Sequence, residues 1–140
     1  MLPLRKERIM SEQENTKLVK QAYERFKSGD IQSLLNLVSD DVEWELPNIE
    51  NVPFAGKRHG REQVGEFFKS LADTEEVLHF EAQEFIAQGD KVVALGHYRW
   101  RVKSTGRGWE ADWAHVFTIR NGKVLKMHEY TDTAAVASAF

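Results

Sequence analysis

The stretch from Val77 to Thr131 constrains the fold most, because it holds four long alternating runs separated only by turn-sized breaks. The runs cover roughly Val77 to Ala87, Lys91 to Lys103, Trp109 to Arg120 and Val124 to Thr131. The breaks are Gly89-Asp90, Thr105-Gly106-Arg107-Gly108 and Asn121-Gly122, residue types that supply the positive φ of tight hairpins. Consecutive strands joined this way pair antiparallel. Strands of ten or more residues in a small domain twist and coil, so the sheet is expected to curl around whatever covers it.

The cover lies upstream. Leu18, Val19, Ala22, Tyr23 and Phe26 fall at helical spacing between about Glu14 and Lys27. Gly29 ends that helix, and Asp30 can cap a second one carrying Ile31, Leu34, Leu35 and Val38. The period then changes to two: Val42, Trp44 and Leu46 alternate with Glu43 and Glu45 up to Pro47, as in a short strand whose buried face the sequence leaves open. A long loop from Asn48 to Gly60 reads as a lid or pocket rim. A third helix runs from about Arg61 to Ala72. Three helices followed by a meander predict an α+β fold, with a strongly curved antiparallel sheet wrapped on helices around a conical hollow.

One domain over residues 11–140 accounts for this pattern. Residues 1–10 are expected to be a disordered extension, with Met10-Ser11-Glu12 resembling a second start, so Met1 and Met10 both stand as starts. A chain of 140 residues with 41% hydrophobic and 29% charged residues can bury a sizeable core. The net charge of −3 gives no general attraction for nucleic acid or anionic lipid. With no cysteine there is no disulfide, thiolate zinc site or cysteine nucleophile, and a reducing cytoplasm is the simplest location. No run reaches the length of a membrane helix, and Arg5 to Arg8 break any signal peptide.

Alternation sorts the side chains into faces. Trp109, Ala111, Trp113, His115, Phe117 and Ile119 share the aromatic face, which is assigned to the hollow. Val92, Ala94, Gly96, Tyr98, Trp100 and Val102 form the matching set on the preceding strand, sending most of the cations of "HYRWRVK" outward. Leu125, Met127 and Glu129 share a face on the last strand, and Asp132 lies at its end. An imidazole, a phenol and a carboxylate are thus expected to meet in an apolar cup, as an acid/base group for a substrate with an acidic C–H or a reactive ring oxygen. A buried imidazole also serves as a satisfied core residue, and Glu129 has Arg99 or Lys126 as alternative partners. The five histidines show no metal-binding spacing, "TGRG" precedes no helix, and "GKRHGRE" caps a helix, with His59 able to reach the pocket mouth.

The order of helix, "SGD" turn, helix, "DDVEWELP", a "PFAGKRHGRE" loop into a helix and a meander ending "WAHVFTIRNGKVLKMHEYTDTAA" resembles the SnoaL-like and ketosteroid isomerase-related proteins. These belong to the nuclear transport factor two-like superfamily, and the resemblance spans about Asn15 to Ala135. It implies a cone-shaped fold, a homodimer through the outer sheet face and a ligand in the cone. Against the steroid isomerases, the base's place falls on Leu46 beside Glu45, the helix tyrosine's on Ala22 beside Tyr23, and the strand aspartate's on His115. The family's residue types are lost at these places, which argues against that activity. Against the limonene epoxide hydrolases, Glu129 takes the water-activating position, while Gly96 and Tyr98 stand where an Arg–Asp pair would be. Against the SnoaL-type cyclases, His115 and Asp132 match the histidine and aspartate of an aldol closure.

The resulting expectation is a small-molecule isomerase, cyclase or hydrolase working by acid/base chemistry without a cofactor or metal. His115 would be the proton donor or stabiliser, Glu129 or Asp132 the base and Tyr98 the orienting group, with Trp113, Trp44, Phe117 and Met127 against the substrate. A non-catalytic ligand-binding domain and a dimerisation module with a packed cone are the alternatives.

Overall fold

The computed structural model describes residues 11–140; the expected N-terminal extension lies outside the described residues. Helix α1 (Glu12–Lys27) starts at a reciprocal capping box between Ser11 and Glu14, and α2 (Ile31–Leu35) is capped by the Asp30 carboxylate accepting from the Ser33 N–H. Gly29 joins them at φ 77°, a backbone region that costs glycine little. Strand β1 (Val38–Glu45) leads through the 46–56 loop into a short strand β2 (Lys57–His59) and helix α3 (Gly60–Thr74). The meander is β3 (Glu75–Gln88), β4 (Lys91–Val102), β5 (Gly108–Arg120) and β6 (Lys123–Thr131), and the chain closes with helix α4 (Thr133–Ala139).

The six strands form one sheet in the order β2-β1-β6-β5-β4-β3. The meander pairs antiparallel, as its turns require, with Asn121 and Gly122 at φ 52° and 72° in the last hairpin. Strand β1 adds to β6 in parallel, making the sheet mixed where an antiparallel one was expected. Bulges interrupt β3 between Val77 and His79 and between Ala82 and Glu84, and another falls between Thr118 and Ile119. Each adds a local bend and twist, which curls the sheet around α1 and α3. Val19, Val64, Val92, Val102 and Val124 are fully buried between these layers.

Three local expectations are corrected. Val38 opens β1 instead of ending α2, because its N-terminal half pairs with Val124 of β6. The loop from Asn48 to Gly60 contains β2, which pairs with Glu43 to Glu45. The residues after Asp132 form α4, which seats Val136 and Ala139 in the core.

Candidate active site

Parity places the site. His115 on β5 lies opposite Glu129 on β6, and both side chains enter the concave side. Nε2 of His115 stands 2.9 Å from Glu129 Oε1, and the two side chains are only 9% and 12% exposed. On the other side of the ring, Nδ1 stands 2.7 Å from the hydroxyl of Tyr23, which α1 delivers from above the sheet. A carboxylate only accepts hydrogen bonds. With Glu129 ionised, Nε2 therefore carries the hydrogen and Nδ1 accepts from the Tyr23 O–H. The result is a hydrogen-bonded line of phenol, imidazole and carboxyl. Burial, reinforced by the nearby Glu129 charge, pushes the Tyr23 phenol well above its ordinary range, so it stays a donor.

Packing holds the imidazole in that pose. Trp113 stacks on it with ring centroids 4.1 Å apart and a 23° interplanar angle, and Phe117 meets it edge-on. Trp113 lies flat across β4 only because residue 96 is a glycine. A Cβ there would overlap the indole and the Glu81 carbonyl. The position that an arginine would occupy in the epoxide hydrolase pattern is thus filled by Trp113.

The line borders an apolar cavity walled by Trp44, Phe67, Phe80, Trp100, Phe117 and Met127, among others. It offers about 80 Å³ to the centres of water-sized spheres, where one water needs roughly 10–15 Å³ by the same measure. The cup is open to a guest. Trp44 faces it because the parallel register sets Trp44 opposite Met127. Tyr98 also lines the cavity but donates to Thr131 Oγ1 at 2.7 Å, and burial together with Glu129 raises its pKa.

The remaining expected residues sit elsewhere. Asp132 is exposed and outside the cavity: its carboxylate caps α4 by accepting from the Ala135 N–H at 3.0 Å. Trp113 backs the imidazole and does not form cavity wall. Glu45 stands 3.8 Å from His128. His59 is exposed and pairs with Glu43 at 2.8 Å. His97 holds Asp112 and Glu110 on the outer face.

Two cavity residues escaped the sequence reading. Tyr23 falls among α1's apolar positions, and the resemblance to the isomerases points to its neighbour Ala22. Glu75 was hidden at the junction of α3 and β3. It is 3% exposed, accepts from Trp109 Nε1 at 2.9 Å, and has no partner for Oε2 among the described residues. Desolvation, opposed by the Trp109 hydrogen bond and helped by Glu129, lifts its pKa to about 7.

Known proteins share the family and the fold. The family profile of the SnoaL-like domain matches residues 19–127. A nuclear transport factor two-like protein from Burkholderia xenovorans LB400 is 37% identical, with 93% of this chain and 98% of that one covered and a TM-score of 0.85. TerC, co-crystallised with polyporic acid, is 27% identical over 90% of this chain and 97% of its own, at a TM-score of 0.81. A putative isomerase from Bacillus subtilis shares the fold at 19% identity, covering 94% and 96% of the two chains, with a TM-score of 0.79. No curated protein matches the chain.

Proposed function

Because the chain belongs to the SnoaL-like domain family, and Tyr23, His115 and Glu129 join at the wall of an apolar cavity, we propose that it is an acid/base enzyme of the isomerase, cyclase or hydrolase type. Its substrate is a compact apolar molecule with an acidic C–H beside a carbonyl. The observation that carries this reading is the occupied imidazole: each ring nitrogen meets a group able to give or take a proton. Glu129 takes the proton from carbon as the electron pair moves onto the carbonyl oxygen. The Tyr23 O–H turns from His115 Nδ1 to that developing oxyanion, the His115 Nε2–H keeps Glu129 Oε1 in place, and the Glu129 carboxyl gives its proton back at another carbon as the electron pair returns from the oxygen. The chemistry needs only side chains. That TerC was co-crystallised with polyporic acid supports a small organic guest in this fold.

The test is deuterium exchange at the acidic carbon of 2-tetralone, followed by proton NMR in D2O. The wild-type protein should accelerate exchange, and Glu129→Gln or His115→Gln should cut the acceleration by about 10²–10⁴-fold with the fold intact. Binding of tetralone with no exchange would sink the enzyme reading in favour of a ligand carrier.

A homodimer through the outer sheet face belongs to the same proposal. Ile86, Val93, Val116 and His128 stand in one cross-strand row there, and Leu95, Ala114 and Tyr130 in the next. Ile86 and Tyr130 are 52% and 53% exposed, apolar groups that the same face of a second copy would cover. Light scattering should give twice the 16.2 kDa chain mass, and Ile86→Lys should halve it. A monomeric wild type would refute the pairing.

A further inference from the structure

A cleft beside β3 shares part of its wall with the cavity. Phe26, Phe68, Leu71, Glu75, Phe80 and Trp100 line both spaces. All but two of these are purely hydrocarbon. The exceptions are Glu75 and Trp100, and each keeps a buried polar atom without a partner among the described residues: Glu75 Oε2 and Trp100 Nε1. Buried polar atoms are nearly always paired, so an acceptor and a donor left open on one stretch of wall call for an occupant.

The two side chains are fixed in place through Trp109. Its indole stacks on Trp100 with centroids 6.4 Å apart at 17°, and its Nε1–H binds Glu75 Oε1 at 2.9 Å. Glu75 has little freedom of its own, since α3 ends directly on it and its backbone N–H still bonds the Leu71 carbonyl. With Oε1 committed to Trp109, Oε2 is left to a guest. With the carboxyl ionised, its open oxygen and the open Trp100 N–H on the same wall match a hydroxyl, which donates to the first and accepts from the second. The walls between this place and the His115 line are aromatic, and aromatic faces favour a flat conjugated body.

We propose that Glu75 and Trp100 form a second polar station in the cavity wall, which recognises a hydroxyl on one end of a flat aromatic or conjugated ligand whose other end meets Tyr23, His115 and Glu129. The substrate class is thereby narrowed from any compact apolar molecule to a planar one oxygenated at opposite ends. The inference rests on reading the cavity as the ligand site, and it stands apart from whether bound ligand is turned over.

Calorimetric titration with naphthalene, 2-naphthol and 2,6-dihydroxynaphthalene tests it. In the wild type, the second hydroxyl should tighten binding by about tenfold, the size of one good hydrogen bond in a dry site. Glu75→Leu should erase that second gain while keeping the first. Glu75→Gln, whose single amide oxygen stays with Trp109 and which puts an NH2 in place of Oε2, should lose it as well with the fold intact, and His115→Gln should remove only the first. A crystal of the 2,6-dihydroxynaphthalene complex should put one oxygen within hydrogen-bond distance of Glu75. Absence of a second gain in the wild type, its survival in Glu75→Leu, or a complex with no oxygen at Glu75 overturns the proposal. Failure of tetralone exchange with both gains intact would remove the catalytic reading alone.

Discussion

Glu75→Gln offers a quantitative test of how the cavity treats charge. The carboxyl is 3% exposed, and burial lifts its pKa from 4.5 to about 7. A carboxylic acid whose pKa is raised by folding stabilises the fold while both states hold the proton. That advantage is lost as pH rises from the unfolded value through the folded one. The window is therefore pH 4.5 to about 7. A rise of that size corresponds to about 3 kcal/mol at 1.36 kcal/mol per pKa unit. Glutamine keeps the acceptor for Trp109 and has no proton to lose. Urea unfolding at pH 5, 6, 7 and 8 should show wild-type stability falling toward pH 8 relative to Glu75→Gln, by an amount approaching 3 kcal/mol across the window. The variant should be the more stable protein at pH 8. A wild-type-minus-variant difference that stays constant from pH 5 to 8 would refute the reasoning, because the side chain would then be ionising without loss of hydration.

Gly96→Ala should destabilise the fold by about 1–3 kcal/mol through overpacking, since the new Cβ meets both the Trp113 ring and backbone of β3; denaturant unfolding with no change beyond about 0.5 kcal/mol would contradict the close stacking. His97 bonds Asp112 and Glu110, which raise its pKa above 6.5. Its imidazole should titrate above that value by NMR, and any stabilisation lost in His97→Ala should be larger at pH 5.5 than at pH 8.5, because the advantage disappears as pH rises through the folded midpoint.

How far the sequence could be read follows from where strand periodicity runs unbroken. The β4–β5 ladder pairs residue by residue from Lys91 to Arg101, so alternation placed Tyr98, Trp113 and His115 on the concave side without error. The same parity carried Glu129 inward from Leu125 and Met127. Strand β3 is different: its two bulges reset the alternation, and a Glu-Glu pair after a helix looks like solvated charge, so nothing in the pattern marks Glu75 as buried. Helical periodicity identified the buried side of α1 but cannot say that Tyr23 reaches His115 across 92 residues of sequence. The face of Trp44 was undecidable for a related reason. It depends on a parallel partner, β6, that local pattern does not name. Asp132 fell just beyond the last strand, where capping chemistry replaces alternation, and the small residues of "TAAVASA" gave little apolar contrast to announce a helix.

The central claim is that His115 is held between a phenol that donates and a carboxylate that accepts. A long-range nitrogen–proton correlation spectrum of the histidine rings at pH 8 tests it most directly. The account predicts His115 as a single tautomer with its hydrogen on Nε2 and a bare Nδ1 that responds to Tyr23→Phe. A hydrogen on Nδ1, or averaged ring nitrogens indifferent to Tyr23→Phe and Glu129→Gln, would contradict it.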